Sequence, residues 1–217
     1  MAINTLDMVL VHRMFRHEFQ DVLALIDDVP AGDVARAGVV GDHIAFLVSA
    51  LHHHHAAEDE LIWPTLQGRV PGSKTDLDRM ADQHEVIAAS VQGVEALLAA
   101  WTTSADREVA QRLTAAVSEL SAVVDEHLDD EERTALPIIA KHLSDEEWQA
   151  VGKRGASFLS ARNMRLGIVL GAMVLGSASE DERQIFMSNV PLPQRLMVQL
   201  FGARTMAAYR QRLYGSA

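Results

Sequence analysis

The chain has no cysteine among its 217 residues, which excludes disulfide frameworks, zinc–thiolate sites, iron–sulfur clusters and thiol nucleophiles. Aromatic residues make up only 5%, and Ala, Leu and Val dominate the apolar remainder. That balance suits helices packed on helices better than a sheet. Excess positive charge is lacking too. The formal net charge is -11, and a globally acidic surface argues against nucleic acid, whose phosphates reward a basic patch. Long hydrophobic runs are also missing. The longest, Leu166 to Leu175, spans ten residues, about half the ~20 that a membrane span needs. Asp7, His12, Arg13, Arg16 and Glu18 interrupt the N-terminal stretch where a secretory apolar region would lie. The expectation is a cytoplasmic protein with neither membrane nor nucleic acid as partner.

What is present divides cleanly. Turn-forming clusters fall at Asp28 to Gly32, Gly68 to Lys74, Thr102-Thr103-Ser104 and His142-Leu143-Ser144. Between them lie four long segments of helical periodicity. In the first, Met8, His12, Phe15, Phe19, Leu23 and Ile26 recur at three- and four-residue steps on one face. The others run from about Val39 to Leu66, Thr75 to Trp101 and Ala105 to Lys141. Four such rods with short connections read as an all-α, antiparallel, up-down-up-down four-helix bundle over residues 1–144. Residues 145–217 read as a C-terminal helical extension, packed on the bundle or at a homodimer interface. Two Ser-x-x-Glu capping boxes, Ser144 to Glu147 and Ser179 to Glu182, announce its shorter helices. Gly167 and Gly171 leave room for another helix to approach. From Arg183 onward there are five arginines and no acidic residue, so the preceding 182 residues carry a charge of -16. A basic end facing an acidic body favours docking on the bundle, with a dimer interface or an anionic partner as the other readings.

The informative feature is an internal repeat. His54-His55-Ala56-Ala57-Glu58-Asp59 aligns with His127-Leu128-Asp129-Asp130-Glu131-Glu132 at an offset of 73 residues, and at the same offset Pro64 meets Pro137. Each copy has one upstream histidine on the preceding rod, His12 and His84. Four residues apart on a helix, an imidazole and a carboxylate stand one turn apart on one face and reach the same ion. Glu58 shares its face with Leu47, Leu51 and Leu61, and Glu131 with Leu120, Val123, Val124 and Ile138. All six polar side chains therefore point into the bundle, where a charged carboxylate is costly unless paired or metal-bound. Imidazoles and carboxylates suit iron, with zinc or manganese as weaker fits. The doubled ligand set suggests two ions. The metal ligands expected are His12, His54, Glu58, His84, His127 and Glu131. His55, about 100° round from His54, is either a further ligand or a donor behind the ligands. Asp59 and Glu132 are acceptors for ligand imidazoles or surface charges. His52 and His53 point elsewhere, and His17, His43 and His142 are placed on the surface. No Glu-x-x-His pair, His-Glu-x-x-His motif or glycine-rich phosphate loop occurs, which disfavours carboxylate-rich di-iron bundles, zinc proteases and nucleotide sites.

These residues resemble the hemerythrin-like, or HHE cation-binding, family. The likeness is carried by His12, His54-His55-x-x-Glu58-Asp59 with Trp63-Pro64, His84, and His127-x-x-x-Glu131-Glu132 with Pro137, over roughly residues 5 to 143. It implies a non-haem di-iron centre in a four-helix bundle, bridged by carboxylates and an oxo or hydroxo group, that binds dioxygen, peroxide or nitric oxide. One departure stands out. Oxygen carriers of the family have two histidines four apart on the third helix, whereas Met80 and Ala88 flank His84 here. The expectation is a less nitrogen-rich or more open iron, and sensing or peroxide detoxification of a peroxidase or catalase type rather than bulk oxygen carriage. The alternative is a non-catalytic metal-binding module, in iron handling or as a structural site, with the C-terminal helices as its partner-binding element.

Overall fold

The computed structural model describes residues 2–159, 164–190 and 192–215, and every regular element among them is helical. α1 covers Leu6–Asp27, α2 Val34–Ala57, α3 Trp63–Arg69, α4 Lys74–Ser104, α5 Arg107–Asp130 and α6 Leu136–His142. α7 (Asp145–Gly155), α8 (Met164–Val174), α9 (Glu180–Asn189) and α10 (Leu192–Tyr214) follow. α2 and α3 make one rod, joined through the π-helical turn Glu58–Ile62, and α5 and α6 make another through the π turn Glu131–Ala135. With α1 and α4 these rods form the expected four-helix bundle, followed by additional C-terminal helices.

The ends of the helices follow from their sequences. Asp33 caps α2 by accepting from the Arg36 amide, and Asp106 caps α5 by accepting from Glu108 and Val109. Both expected capping boxes form, at Ser144 with Glu147 and at Ser179 with Glu182. The expected break at Thr102-Thr103-Ser104 does not occur; α4 runs through it to Ser104. The three hydroxyls donate back to carbonyls one turn earlier, such as Thr102 Oγ1 to Leu98 at 2.9 Å and Ser104 Oγ to Ala100 at 3.0 Å. In that arrangement they sit within a helix instead of competing with it. The stop comes one residue later at Ala105, which is left-handed at φ 46° and closes on the Trp101 carbonyl.

The two π turns share one cause. A proline at position 64 or 137 has no N–H to donate, and in a regular helix its ring would collide with the carbonyl four residues back. Widening the turn removes the conflict, so the amide before each proline bonds five residues back: Trp63 to Glu58 and Leu136 to Glu131. The extra residue shifts the inward face. Ile62 and Ile139 are fully buried, while Leu61 and Ile138, expected on the ligand faces, are half-buried.

Two compact units divide the chain, Met1–Ile3 with Arg16–Phe158, and Asn4–Phe15 with Leu159–Ala217. α1 passes from one to the other without a break. In the first unit α7 lies against α2 and the first π turn. Its Arg154 holds Glu60, and its Glu147 pairs with Arg69. At Gly41, α2 and α4 come so close that a Cβ would lie 2.3 Å from Thr102 Cγ2. In the second unit Arg13 grips Glu182 at 3.2 Å and the Ser177 carbonyl at 3.1 Å. There α8 packs on α10, with Val198 3.5 Å from where a Gly171 Cβ would lie. That is ordinary contact, and Gly167 faces only Leu159 at 3.8 Å, so neither glycine is demanded by the packing.

By length and composition alone, Val34–Arg69 and Pro71–Ser104 could each cross a membrane. The first carries Glu58, Asp59 and Glu60 and has 56% of its apolar window buried within the protein, as a core helix does. The second has only 22% of its window buried.

Candidate metal centre

Most buried polar side chains of the first unit gather where the two His-x-x-x-Glu turns face each other. Glu58, Glu131 and His127 are completely buried, and His84 and His55 nearly so. Glu58 and Glu131 are each the first residue of a π turn, wide turns that recur at functional sites. The ligand atoms of His55, Glu58, His84 and His127 all lie within 4.8 Å of one another, and so do those of His54, Glu58 and Glu131. Glu58 belongs to both groups. Its Oε1 lies 3.2 Å from His54 Nε2 and its Oε2 3.3 Å from His84 Nε2, one oxygen toward each.

The hydrogen bonds behind the imidazoles fix their tautomers. His84 Nδ1 lies 2.7 Å from Asp59 Oδ1, and a carboxylate only accepts, so Nδ1 carries the proton. His127 Nδ1 lies 3.1 Å from Gln83 Oε1, while Gln83 Nε2 donates to Asp130 at 3.0 Å, so again Nδ1 donates. In the neutral rings both Nε2 atoms are then lone pairs, and they face each other at 3.1 Å beside Glu58 Oε2. Converging lone pairs and a carboxylate repel unless a cation lies among them. The donor set therefore fits a metal ion, and imidazole nitrogen with carboxylate oxygen suits a divalent first-row metal. The same field favours a proton. Burial pulls the His84 imidazole down, but Asp59 and Glu58 outweigh it and raise its pKa to about 9, so proton and metal compete for this position.

His55 joins the first group. Its ring stacks on His84, with centroids 4.2 Å apart and planes at 19°, and meets His127 edge-on at 5.0 Å. Of the residues four from His84, Met80 packs in the core and Ala88 is exposed, and neither offers a ligand nitrogen. Three imidazoles therefore meet Glu58 in this group, so it is not poor in nitrogen. His12 is fully buried on α1, in the half of that helix that belongs to the second unit. His52 is exposed, whereas His53 is half-buried, its ring 4.9 Å from Phe158.

The repeat does not extend to the residues behind the ligands. Asp59 receives the His84 proton, but its counterpart Glu132 pairs with Arg16 at 2.8 Å instead. The corresponding service to His127 comes from Gln83 and Asp130, which sequence reasoning missed because neither stands out from an ordinary solvated helix face. One placement needs correction. His43, expected on the surface, is 1% exposed, with Nε2 3.5 Å from Glu18 Oε2 across α2 and α1. His17 is exposed as expected, and His142 is partly so.

A family model described as the hemerythrin HHE cation binding domain matches residues 5–139. The chain belongs to this family. No curated protein and no solved structure matches it. In this hemerythrin-like bundle the buried His/Glu cluster is the candidate metal-binding site.

Proposed function

We propose that the cluster holds two iron ions and binds dioxygen, peroxide or nitric oxide, in redox sensing or peroxide detoxification rather than bulk oxygen carriage. The observation that carries this reading is Glu58, whose two oxygens point to two separate groups of ligand atoms. His55, His84 and His127 would hold one ion and His54 with Glu131 the other. When bound, the metal pair would supply the electrons and the open coordination that small oxidants need.

The residues of the chain provide the rest. Leu47, Leu51, Ile62 and Ile87 are buried in the bundle core and keep bulk water from the site. Glu58 and Glu131 balance the cationic charge. Asp59, whose side chain is 46% exposed, bonds the buried His84 and holds the imidazole proton on Nδ1, which leaves Nε2 for the metal. A cytoplasmic setting belongs to the same proposal.

Metal analysis with an optical spectrum of the protein purified in air tests it. The expected result is about two iron atoms per chain, with near-ultraviolet charge-transfer bands that respond to peroxide or nitric oxide. One zinc per chain, unchanged by iron supply, points to a structural site and refutes the proposal.

A further inference from the structure

The last helix offers an apolar face to solvent. On α10, Leu192, Leu196 and Leu200 are 60%, 46% and 71% exposed and lie at four-residue steps along one side. The stripe continues through the exposed Ala203 and Ala207 to Arg210, alternating three- and four-residue steps as a helix-packing seam does. Such a strip is uncommon on a soluble surface unless something covers it.

A face of opposite character lies on α4. Val86, Ala89, Gly93, Ala96 and Ala100 follow the same three–four spacing and are all exposed, in the helix whose apolar window is only 22% buried. Gly93 is the telling residue. A glycine inside a helix is less favourable than alanine, and a Cβ there would meet nothing within 4 Å. The fold of the single chain gives no reason for it, but a large side chain docking from outside does.

We infer that α10 of one chain packs antiparallel on α4 of a second copy, with Leu200 seated over Gly93. In that register Leu196 meets Ala96 and Leu192 meets Ala100, large side chains over small ones. Toward the other end Arg210 arrives at Asp82, which is exposed on the same stripe of α4. The charges agree at that end, because α10 bears arginines and no acid, while the N-terminal part of the α4 stripe bears Asp78, Asp82 and Glu85. Two α10 helices paired with each other would set arginine against arginine, and an acidic surface of the same protein is the complementary partner. A chain carrying both faces can exchange them reciprocally with its copy, as in a twofold dimer.

The chain has no cysteine of its own, so cross-linking reads the register directly. Purified Leu196→Cys and Ala96→Cys chains are mixed and oxidised, and the mass of the untreated full chain is measured by light scattering at several concentrations. A disulfide-linked pair of the two different chains and a doubled mass are expected. Leu200→Asp should weaken dimerisation by about 10- to 100-fold, the worth of burying one leucine. Gly93→Leu should abolish it while leaving the monomer folded by circular dichroism, since the position is open in the single chain. A monomeric mass at every concentration overturns the inference. So does a cross-link confined to one chain carrying both cysteines, or a monomer that binds anionic vesicles through α10.

Discussion

His43 is an ionisable group sealed in the bundle far along α2 from the metal ligands, and its burial has a measurable consequence. Burial pushes its imidazole down from 6.5 to about 4, because a charged ring would lose its hydration without full compensation. The folded value lies below the unfolded one, so this group stabilises the fold above pH 6.5, and that contribution is lost as pH falls toward 4. With those two values the loss is about 2 kcal/mol by pH 5. His43→Gln keeps an N–H that can face Glu18 but has no proton to gain. Urea unfolding of the metal-free protein, followed by helical circular dichroism at pH 7.5 and pH 5, separates the effects. The substitution will cost some packing at both pH values, and only the difference between them matters. The wild type should lose about 2 kcal/mol more than the variant on acidification. Equal losses would mean that His43 is not held neutral by burial, and the reasoning fails.

Other outcomes follow from the same geometry. Gly41→Ala should destabilise the wild type by about 1 kcal/mol, overpacking against Thr102 outweighing the helix gain. In a Thr102→Ser background, which lacks the clashing methyl, it should stabilise by a similar amount; the same sign in both backgrounds in urea unfolding would refute the close approach. His55→Ala should lower bound metal from about two equivalents to about one, and unchanged stoichiometry by elemental analysis would remove it from the ligand set. Asp59→Asn and Gln83→Leu should each weaken metal binding by about 10- to 100-fold in competition with a chelator, where an equally large loss in Glu132→Gln would show no specific role for the hydrogen bonds. Because metal displaces a proton held on His84 with a pKa raised to about 9, loading at pH 7.5 should release that proton, and apparent affinity should rise with pH until about 9; uptake without proton release in unbuffered titration would contradict the competition.

Much of this was legible in the residues. The rods come from periodicity, the two capping boxes from their Ser-x-x-Glu spacing, and the paired His-x-x-x-Glu turns from the repeat at an offset of 73 residues, strong signals because a long amphipathic helix has few alternatives. The misread positions have a common physical origin. A count of 100° per residue puts Leu61 and Ile138 inward, but each π turn adds one residue and moves the burial to Ile62 and Ile139. His43 was misplaced because imidazole is equally at home on a surface. Gln83 and Asp130 could not be found because their role depends on which residue of a neighbouring helix comes within 3 Å, which no spacing within one helix records. The third imidazole of the first group was left open between ligand and support for the same reason: His55 reaches His84 and His127 only once α2, α4 and α5 are side by side.

The wide turns also bear on how sequences of this kind are compared and redesigned. Each glutamate is followed by what amounts to a one-residue insertion in an otherwise continuous rod, so an idealised heptad sequence threaded onto either rod needs a skip residue at Glu58 or Glu131. Deleting one residue between Asp59 and Ile62 would keep the downstream hydrophobic stripe on the inward face, but it would remove the wide turn that begins at Glu58 and return the proline ring to its conflict with the carbonyl four residues back. Insertions and deletions are usually harmless in loops and ruinous in helices. Here the tolerated insertion lies in mid-helix, and a shortened rod, however ideal by propensity, would keep its core in register and lose the turn that carries its ligand.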